Sequence, residues 1–365
     1  MRMLKNILVT GGAGFIGCNF IRFLLDKADS FSGRIINLDV LTYAGNRMSL
    51  ADIETKYSAG ANSRYFFEHG DICDRVFVEA LFKKHDIDTV VHFAAESHVD
   101  RSIHGPEAFI KTNVMGTFTL LDVARNAWIN NGKSREDVLF HHISTDEVYG
   151  SLGETGYFTE ETPYDPRSPY SASKASSDHL ALAYSHTYGL PVTLSNCSNN
   201  YGPYQFPEKL IPLMILNMLE GKSLPVYGDG KNVRDWLFVE DHNLAVWEIM
   251  RGGKTGETYN IGGENEWENI KLLNVLIEIT AEKAKLDPAK IHDTITYVKD
   301  RPGHDRRYAI DCSKIKRELG WKQTVSFEEG LSRTVDWYLA NPKWIESIRS
   351  GEYQKWVEKN YGKRG

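Results

Sequence analysis

The sequence predicts an α/β protein with a doubly wound parallel sheet of the Rossmann type and a smaller C-terminal substrate-binding domain. Three observations predict this fold. Short β-branched runs alternate with longer amphipathic segments through the first half of the chain. A glycine-rich turn follows the first apolar run, and several later runs end in acidic or small residues. Doubly wound folds bind ligands at such strand ends.

The elements of the first half follow from this alternation. Apolar runs rich in β-branched and aromatic residues predict the strands Asn6–Thr10, Arg34–Asp39, Tyr65–His69, Thr89–Phe93, Leu139–Ser144 and Val192–Asn196. The longer amphipathic stretches between them predict the helices Phe15–Lys27, Arg75–His85, Glu107–Asn126 and Ser171–Tyr188.

The rhythm changes after about residue 196. The pattern there predicts helices at Lys209–Leu219, His242–Met250 and Ile270–Lys285, a strand at Arg234–Val239, and a short strand ending at Asn260-Ile261-Gly262-Gly263. We expect residues 1–196 to form the dinucleotide-binding domain, with segment 234–262 returning to it. Residues 197–233 and 263–365 are expected to form the substrate-binding domain.

Composition points to a cytoplasmic enzyme that acts on a small molecule. The chain has 365 residues, a net charge of −6 and no long basic run, which argues against nucleic-acid binding. Its most apolar stretch, Leu210 to Leu219, is too short to span a membrane. The four cysteines are far apart, which predicts reduced, mostly buried thiols. His98, His141 and His142 lack the spacing of metal ligands, so no metal site is expected.

The glycine-rich turn predicts a dinucleotide site. Gly11, Gly14 and Gly17 lie between the first strand and the first helix, where glycines allow backbone to approach a pyrophosphate and the helix N-terminus attracts it. Asp39 ends the second strand, 22 residues after Gly17. A carboxylate there can bind the ribose 2′-hydroxyl and would repel a 2′-phosphate, which favours NAD over NADP.

Two further strand ends point to the same crevice. Asp71-Ile72 follows the third strand, where the carboxylate could meet the adenine amine or cap the next helix. Ala94-Ala95-Glu96-Ser97 follows the fourth, where small residues would let a cofactor lie close.

The candidate catalytic groups form two sets. Tyr170 and Lys174 are four residues apart and share one helix face. We expect the Lys174 ammonium and the nicotinamide charge to lower the pKa of Tyr170, so that it can act as a base. Thr145, Asp146 and Glu147 lie at the end of the fifth strand, where two adjacent carboxyl groups could separate into an acid and a base.

These motifs together resemble the dTDP-glucose 4,6-dehydratase family of the extended short-chain dehydrogenase/reductase superfamily. The resemblance extends over essentially the whole chain, and the Asp146-Glu147 pair is its sharpest feature. Related epimerases have no such pair, and GDP-mannose dehydratases keep the Glu without the Asp. The matching segments are Thr10–Gly17, Asp39–Asn46, Ala94–Ser102, Ser144–Gly150, Tyr170–Asp178, Asn196–Pro212, Arg234–Asp241, Asn260–Gly263 and Asp300–Asp305.

The resemblance implies dehydration of dTDP-glucose to dTDP-4-dehydro-6-deoxyglucose, with NAD recycled. Tyr170, assisted by Lys174 and Thr145, would remove the O4 proton as hydride leaves C4. Glu147 would then take the C5 proton while protonated Asp146 assists loss of the 6-hydroxyl as water. Hydride would return to C6, and re-protonation at C5 would give the product. The product would enter deoxysugar synthesis, for example of dTDP-rhamnose.

The resemblance also implies ligand contacts and a homodimer formed through a four-helix bundle. The implied cofactor contacts are Gly11, Gly14, Phe15, Ile16, Gly17, Asp39, Leu41, Thr42, Asp71, Ile72, Ala94, Ala95, Ser97, Thr112, Tyr170, Lys174 and Asn200. The implied substrate contacts are Ser97, Thr145, Asn199, Glu208, Lys209, Pro225, Tyr227, Arg234, Asn269, Asp300, His304, Arg307 and Tyr361.

Two other functions remain open from the sequence. A nucleotide-sugar 4-epimerase would share the fold and the Tyr-Lys pair, but it has no need of Asp146 and Glu147. A non-catalytic NAD-binding regulator would share the fold without needing Thr145, Tyr170 and Lys174. Loss of water from the substrate separates a dehydratase from both.

Overall fold

A computed structural model describes residues 1–60, 62–300 and 305–349. Its strands, in chain order, are β1 (Asn6–Thr10), β2 (Arg34–Asp39), β3 (Tyr65–His69), β4 (Thr89–His92), β5 (Ile129–Asn130), β6 (Lys133–Ser134), β7 (Leu139–Thr145), β8 (Val192–Cys197), β9 (Asn199–Tyr201), β10 (Leu224–Tyr227), β11 (Val233–Phe238), β12 (Thr258–Ile261), β13 (Glu266–Glu268) and β14 (Ile295–Val298).

The α-helices alternate with these strands in the first half of the chain and predominate after β12. They are α1 (Phe15–Arg22), α2 (Ala51–Tyr57), α3 (Arg75–His85), α4 (Val99–His104), α5 (Pro106–Phe109), α6 (Thr117–Trp128), α7 (Pro169–Tyr188), α8 (Leu210–Leu219), α9 (Val239–Gly252), α10 (Asn269–Ala284), α11 (Pro288–His292), α12 (Ser313–Leu319), α13 (Phe327–Ala340) and α14 (Pro342–Ile348). Short 3₁₀ turns occupy Arg47–Leu50 and Asp146–Tyr149.

A seven-stranded sheet forms the centre of the molecule, in the order β12-β8-β7-β4-β1-β2-β3. Every pairing within it is parallel. The strand order reverses between β1 and β4, and ligands bind at the carboxyl ends of strands on either side of such a point. The predicted doubly wound fold is confirmed. All six predicted strands are present, and their bounds differ from the predicted ones by at most one residue.

Apolar packing covers both faces of the sheet. The strands β1, β4, β7 and β8 are buried along their whole lengths, as expected for a sheet with helices on each side. One face packs against α1 and α9, and the other packs against α3, α6 and α7. The C-terminal segment β12 lies at one edge of the sheet, beside β8.

Two of the predicted helices contain π-helical turns. The first helix is α-helical only to Arg22 and continues as a π-turn over Phe23–Lys27. The predicted helix Glu107–Asn126 is divided into α5, a π-turn over Ile110–Gly116, and α6. Asn113 lies in this second π-turn, and its amide exchanges hydrogen bonds with the backbone of Glu96 at 2.8 and 2.9 Å. π-turns are frequent at functional sites, and this one fixes the loop after β4.

A second apolar core lies beyond the central sheet. It is built from α8, α10 and α13, where Ile211, Leu276 and Leu331 are fully buried. A three-stranded sheet, β13-β11-β9, and the parallel pair β10-β14 flank this core. Near the C-terminus, Trp344 on α14 donates a hydrogen bond to Ser49 at 2.9 Å, which ties the end of the described chain to the first half.

The cysteines agree with the sequence prediction. All four are free thiols; Cys18, Cys197 and Cys312 are buried, and Cys73 is partly exposed. Among the described residues, no helix combines the length and the apolar character needed to cross a membrane.

Candidate active site

A cavity of about 520 Å³ opens at the carboxyl ends of β1, β2, β4 and β7. It gathers residues from both halves of the chain. The predicted site residues that line it are Gly11, Gly14, Phe15, Ile16, Gly17, Asp39, Thr42, Asp71, Ile72, Ala94, Ala95, Ser97, Thr112, Thr145, Asp146, Glu147, Tyr170, Lys174, Asn199, Asn200, Glu208 and Lys209. The predicted catalytic and cofactor residues therefore share one cavity, apart from Leu41.

The glycine turn forms a cradle that side chains would fill. A Cβ atom at Gly11 would lie 2.7 Å from the Cα of Ala94. At Gly17 it would lie 2.4 Å from the carbonyl oxygen of Gly11. Gly14 is the N-cap of α1 and has no side-chain cap, so the N–H groups of the first turn face the cavity. This geometry fits the pyrophosphate of a dinucleotide.

Asp39 lies where a ribose-binding carboxylate is expected, at the end of β2. Its two oxygens accept hydrogen bonds from the backbone N–H groups of Ala13 and Leu41, at 2.9 and 2.8 Å. These bonds hold the carboxylate over the glycine turn. Each oxygen retains a second lone pair for a ribose hydroxyl. Leu41 lies outside the cavity lining, and its part in the site is through this backbone bond.

The helix α7 presents Tyr170 and Lys174 to the cavity. The sequence orients the start of this helix locally, because Ser168 and Ser171 form a capping box and Pro169 occupies the first turn. Both side chains are buried. The Lys174 Nζ donates a 2.7 Å hydrogen bond to the carbonyl of Ile143 on β7.

In the protein without cofactor, the pKa of Tyr170 is shifted in the direction opposite to the one expected. Burial, followed by the negative charge of Glu147, raises the pKa of Tyr170 well above its ordinary value. We expected Lys174 to lower the pKa of Tyr170. Desolvation of the phenolate is the larger effect and raises it. Burial also lowers the pKa of Lys174, while Asp178 opposes that change. The nicotinamide charge included in the expectation is not part of the protein alone.

Asp146 has the environment of a neutral acid. Its side chain is 2% exposed, and Oδ2 has no hydrogen-bond partner within the described part of the chain. Burial, then the charges of Glu147 and Asp235, raise the pKa of Asp146 well above its ordinary value. Both effects favour the neutral form of Asp146, which can donate its proton. Thr145 Oγ1 lies 3.3 Å from Asp146 Oδ1 and also caps the 3₁₀ turn that carries the pair.

Glu208 and Lys209 close the opposite side of the cavity. The carboxylate of Glu208 is buried and accepts hydrogen bonds from Arg101 and Tyr43, at 3.2 and 3.3 Å. The Nζ of Lys209 donates to the carbonyl of Ser97 at 3.1 Å. These contacts join the loops after β2 and β4 to the segment that precedes α8.

Arg234 and Arg307 lie outside the cavity lining, although a backbone bridge between Val233 and Arg307 brings them close together. Arg234 donates to the carbonyl of Asp305 at 2.9 Å, and its charge opposes the rise in the pKa of Asp146. Arg307 forms a two-pronged ion pair with Glu266, at 2.6 and 2.9 Å.

The remaining predicted substrate residues also lie outside the lining. Pro225 and Tyr227 belong to β10, and the Tyr227 hydroxyl donates to Asp100 at 3.1 Å. Asn269 begins α10, and Asp300 packs beside Gly228. His304 and Tyr361 fall outside the described residues. For all of these residues, substrate contact stays a prediction.

Sequence reasoning missed Gln205, which lines the cavity and is 6% exposed. Its amide donates to the carbonyl of Asn200 at 2.9 Å, its backbone carbonyl accepts from Tyr338, and its Oε1 has no partner among the described residues. A buried amide oxygen of this kind is a candidate ligand contact. The signal available in the sequence was its place inside the matching segment Asn196–Pro212.

The fold and the site together define a dinucleotide-binding enzyme of the short-chain dehydrogenase/reductase class. A Tyr-Lys pair on one helix face meets a Thr-Asp-Glu triplet at the end of the adjacent strand. Both lie beside the glycine turn and the carboxylate of Asp39.

Comparisons with known proteins give the family. A family model described as GDP-mannose 4,6 dehydratase matches residues 8–334. The chain is 54% identical to the dTDP-glucose 4,6-dehydratase of Shigella flexneri, over 97% of this chain and 98% of that one. The structure of DesIV, a dTDP-glucose 4,6-dehydratase of Streptomyces venezuelae crystallised with NAD and TYD, is 47% identical, with a TM-score of 0.84 and coverage of 94% and 100%.

A UDP-glucose 4-epimerase of Thermotoga maritima is more distant, at 29% identity and a TM-score of 0.79, with coverage of 93% of this chain and 100% of that one. The chain belongs to the dTDP-glucose 4,6-dehydratase family.

The glycine cradle yields a prediction about cofactor binding. Gly17→Ala should weaken NAD binding by about tenfold or more, because its Cβ would force backbone apart at a cost of about 1–3 kcal/mol. Titration of the purified protein with NAD measures the change. Gly153→Ala is the matched control, since a Cβ at Gly153 meets nothing within 4 Å. Equal NAD affinity in the two variants would contradict the cradle.

Proposed function

We propose that this chain is an NAD-dependent dTDP-glucose 4,6-dehydratase that forms dTDP-4-dehydro-6-deoxyglucose. The observation that carries the proposal is the buried Asp146 beside Glu147, in the same cavity as Tyr170 and Lys174. A redox pair alone supports many reactions of this fold. A neutral carboxylic acid beside a second carboxyl group supplies the acid and base that loss of water needs.

The glycine cradle and Asp39 hold NAD in this proposal. The backbone N–H groups after Gly14 meet the pyrophosphate, and Asp39 binds the adenosine ribose. Lys174 contacts the nicotinamide ribose, and Asn200 lies on the nicotinamide side of the cavity. NAD supplies a hydride acceptor for the sugar C4 and a hydride donor for C6.

Tyr170 begins the reaction by removing the proton from the sugar O4. Thr145 donates a hydrogen bond to the same oxygen, and the Lys174 ammonium stabilises the tyrosinate that removal requires. In the protein alone, burial opposes this ionisation. The cationic charge of bound NAD would counteract this effect and favour the ionised form of Tyr170.

Glu147 and Asp146 then carry out the dehydration. A ketone at C4 acidifies the C5 proton, which Glu147 removes. Protonated Asp146 donates to the departing 6-hydroxyl, and water leaves. Hydride addition at C6 and re-protonation of C5 then give dTDP-4-dehydro-6-deoxyglucose. The different environments of the two carboxyl groups separate the roles, because the group that is most buried is the one that stays neutral.

The substrate occupies the C-terminal side of the cavity. Ser97, Asn199, Glu208 and Lys209 face the sugar and the diphosphate. The diphosphate is further neutralised by Arg234 and Arg307, whose guanidinium groups match phosphate oxygens. Thymine lies near Pro225 and Tyr227. The remaining proposed substrate contacts are Asn269, Asp300, His304 and Tyr361.

The two domains bind different ligands in this proposal. Residues 1–196, with 234–262, bind NAD, and residues 197–233 and 263–365 bind the nucleotide sugar. The place of β12 at the edge of the central sheet supports the return of the later segment. The four free thiols support a reducing cytoplasmic setting. The product supplies deoxysugar synthesis, for example of dTDP-rhamnose.

Incubation with dTDP-glucose tests the reaction directly. We expect a product whose mass is lower by one water, because Asp146 and Glu147 eliminate the 6-hydroxyl. Mass spectrometry of the nucleotide sugar measures this loss. UDP-glucose and GDP-mannose are the parallel substrates that test base specificity. A product of unchanged mass would favour a 4-epimerase, and absence of any turnover would favour a regulator.

The roles of the carboxyl pair can be separated kinetically. Glu147→Gln should reduce dehydration by about 10²–10⁴-fold, because the C5 proton loses its base. Reduced-nicotinamide absorbance should still appear in a stopped-flow record, since Tyr170 performs the first oxidation. Glu161→Gln, at an exposed position, is the control. Loss of that absorbance in Glu147→Gln would contradict the assignment.

A homodimer formed through a four-helix bundle, with the segments 107–126 and 171–188 of each copy, completes the proposal. Ile103, Ile110 and Met115 expose 39%, 50% and 50% of their surfaces on α4 and the π-turn after α5. A second copy that packs there would bury these apolar side chains. Met115→Lys should therefore shift the protein from dimer to monomer in analytical ultracentrifugation. Val76→Lys is the control, at a 77% exposed position on α3. Identical behaviour of the two variants would place the interface elsewhere.

A further inference from the structure

Asp178 is a fully buried carboxyl group on the same helix as the redox pair. It lies one turn beyond Lys174 and two turns beyond Tyr170, on one face of α7. Its side chain lies outside the cavity lining, so the reaction described above does not use it. A buried carboxyl group is costly to keep unless its partners compensate.

Asp178 is hydrogen-bonded to the strand that carries the dehydration residues. Its Oδ2 accepts from the Ser144 hydroxyl at 2.7 Å, and its Oδ1 lies 3.0 Å from Nε2 of His142. Ser144 directly precedes the Thr-Asp-Glu triplet. One turn earlier on α7, Lys174 bonds to Ile143, the residue before Ser144. Two consecutive turns of the helix are thus tied to two consecutive residues of β7.

Asp178 is also the main counter-charge of Lys174. Burial lowers the pKa of Lys174, and Asp178 is the strongest influence in the opposite direction. The other groups that act on Lys174 are Cys197 from β8, His142 from β7 and His92 from β4.

These three groups are uncharged near neutral pH. Burial raises the pKa of the Cys197 thiol to about 12 and lowers the pKa of both imidazoles well below their ordinary value.

The charge of Asp178 depends on burial and on its hydrogen-bond and charged partners. Burial raises its pKa to about 6, against the opposing effects of Lys174, Ser144, Tyr164 and His179. Above about pH 6 the carboxylate is therefore ionised beside the Lys174 ammonium. The side chains of Ser144 and His142 supply the hydrogen bonds that a buried carboxylate needs.

We propose that Asp178 is a positioning residue that keeps Lys174 in its ammonium form and holds Tyr170 and Lys174 in register with Thr145, Asp146 and Glu147. This inference rests on the proposed function for the role of Lys174, which is to bind the nicotinamide ribose and support the tyrosinate. The Ser144 bond sets the register, and the carboxylate charge sets the protonation of Lys174. The two contributions can be separated by substitution.

Two variants of the full-length enzyme test the charge contribution. Asp178→Asn keeps a side-chain oxygen for Ser144 but removes the charge, so Lys174 should lose its proton at lower pH. In the pH profile of kcat, the alkaline limb should shift to lower pH by about one unit or more. Ser144→Ala removes the hydrogen bond but keeps the charge, so it should lower kcat and leave the limb in place. An unmoved limb in Asp178→Asn overturns the proposal.

A binding cycle gives a readout that needs no turnover. NAD affinity is measured by titration at pH 8.5 for Asp178→Asn, Lys174→Met and the double variant. Asp178→Asn should weaken NAD binding by about tenfold when Lys174 is present. In the Lys174→Met background the same substitution should have little effect. Equal losses in both backgrounds overturn the proposal. The cycle uses no sugar nucleotide, so an error in the proposed substrate would leave its result unchanged.

Folding of these variants is itself informative. If Asp178→Asn does not fold, the double variant should regain the fold, because it no longer contains a buried ammonium without a counter-charge. Circular dichroism and gel filtration measure this rescue. Failure of the double variant to fold as well would overturn the charge role of Asp178.

Discussion

The hydrogen bond from Lys174 to the carbonyl of Ile143 joins the two elements on which the site depends. The helix α7 carries Tyr170 and Lys174, and β7 leads into the triplet Thr145-Asp146-Glu147. Neither element could place its residues usefully without the other, because proton transfer needs approach within about 3 Å. The parallel sheet brings strand ends to one edge. This bond and the bond from Ser144 to Asp178 together fix the position of the helix along that edge.

The same burial that fixes the geometry also sets the protonation states. Removing carboxyl, phenol and ammonium groups from water disfavours the charged form of each, so the pKa of Asp146 rises and the pKa of Lys174 falls. For Asp146 this favours the neutral carboxylic acid, which can donate a proton. For Lys174 the effect works against function, and a compensating charge is needed nearby. Burial in the same cavity therefore favours the proton-donating form of Asp146 and disfavours the ammonium form of Lys174.

Much of the fold could be predicted from the sequence, since buried parallel strands read as short apolar runs and the glycine turn has a fixed place between β1 and α1. The cavity residues at the strand ends could be predicted too, because parallel strands place their carboxyl ends at one edge of the sheet. The π-turn at Ile110–Gly116 could not be predicted, because it depends on the long-range hydrogen bonds between Asn113 and Glu96. The direction of the pKa shift of Tyr170 could not be predicted either, because it depends on the burial of the side chain and on its distance to Glu147. Local pattern carries no information about either.

The fold does not by itself decide the reaction. A UDP-glucose 4-epimerase shares the architecture at a TM-score of 0.79, so the sheet, the glycine turn and the helix arrangement are compatible with both chemistries. Both reactions begin by oxidising C4 of the sugar. What differs is the fate of the ketone, which depends on whether a base reaches C5 and an acid reaches O6. In the proposed reaction the carboxyl pair after β7 supplies both groups, and burial favours the protonated form of its more buried member, Asp146. Under the proposed function, two adjacent side chains on a short 3₁₀ turn therefore determine which reaction follows, and the position of that turn depends on the packing of α7 against β7.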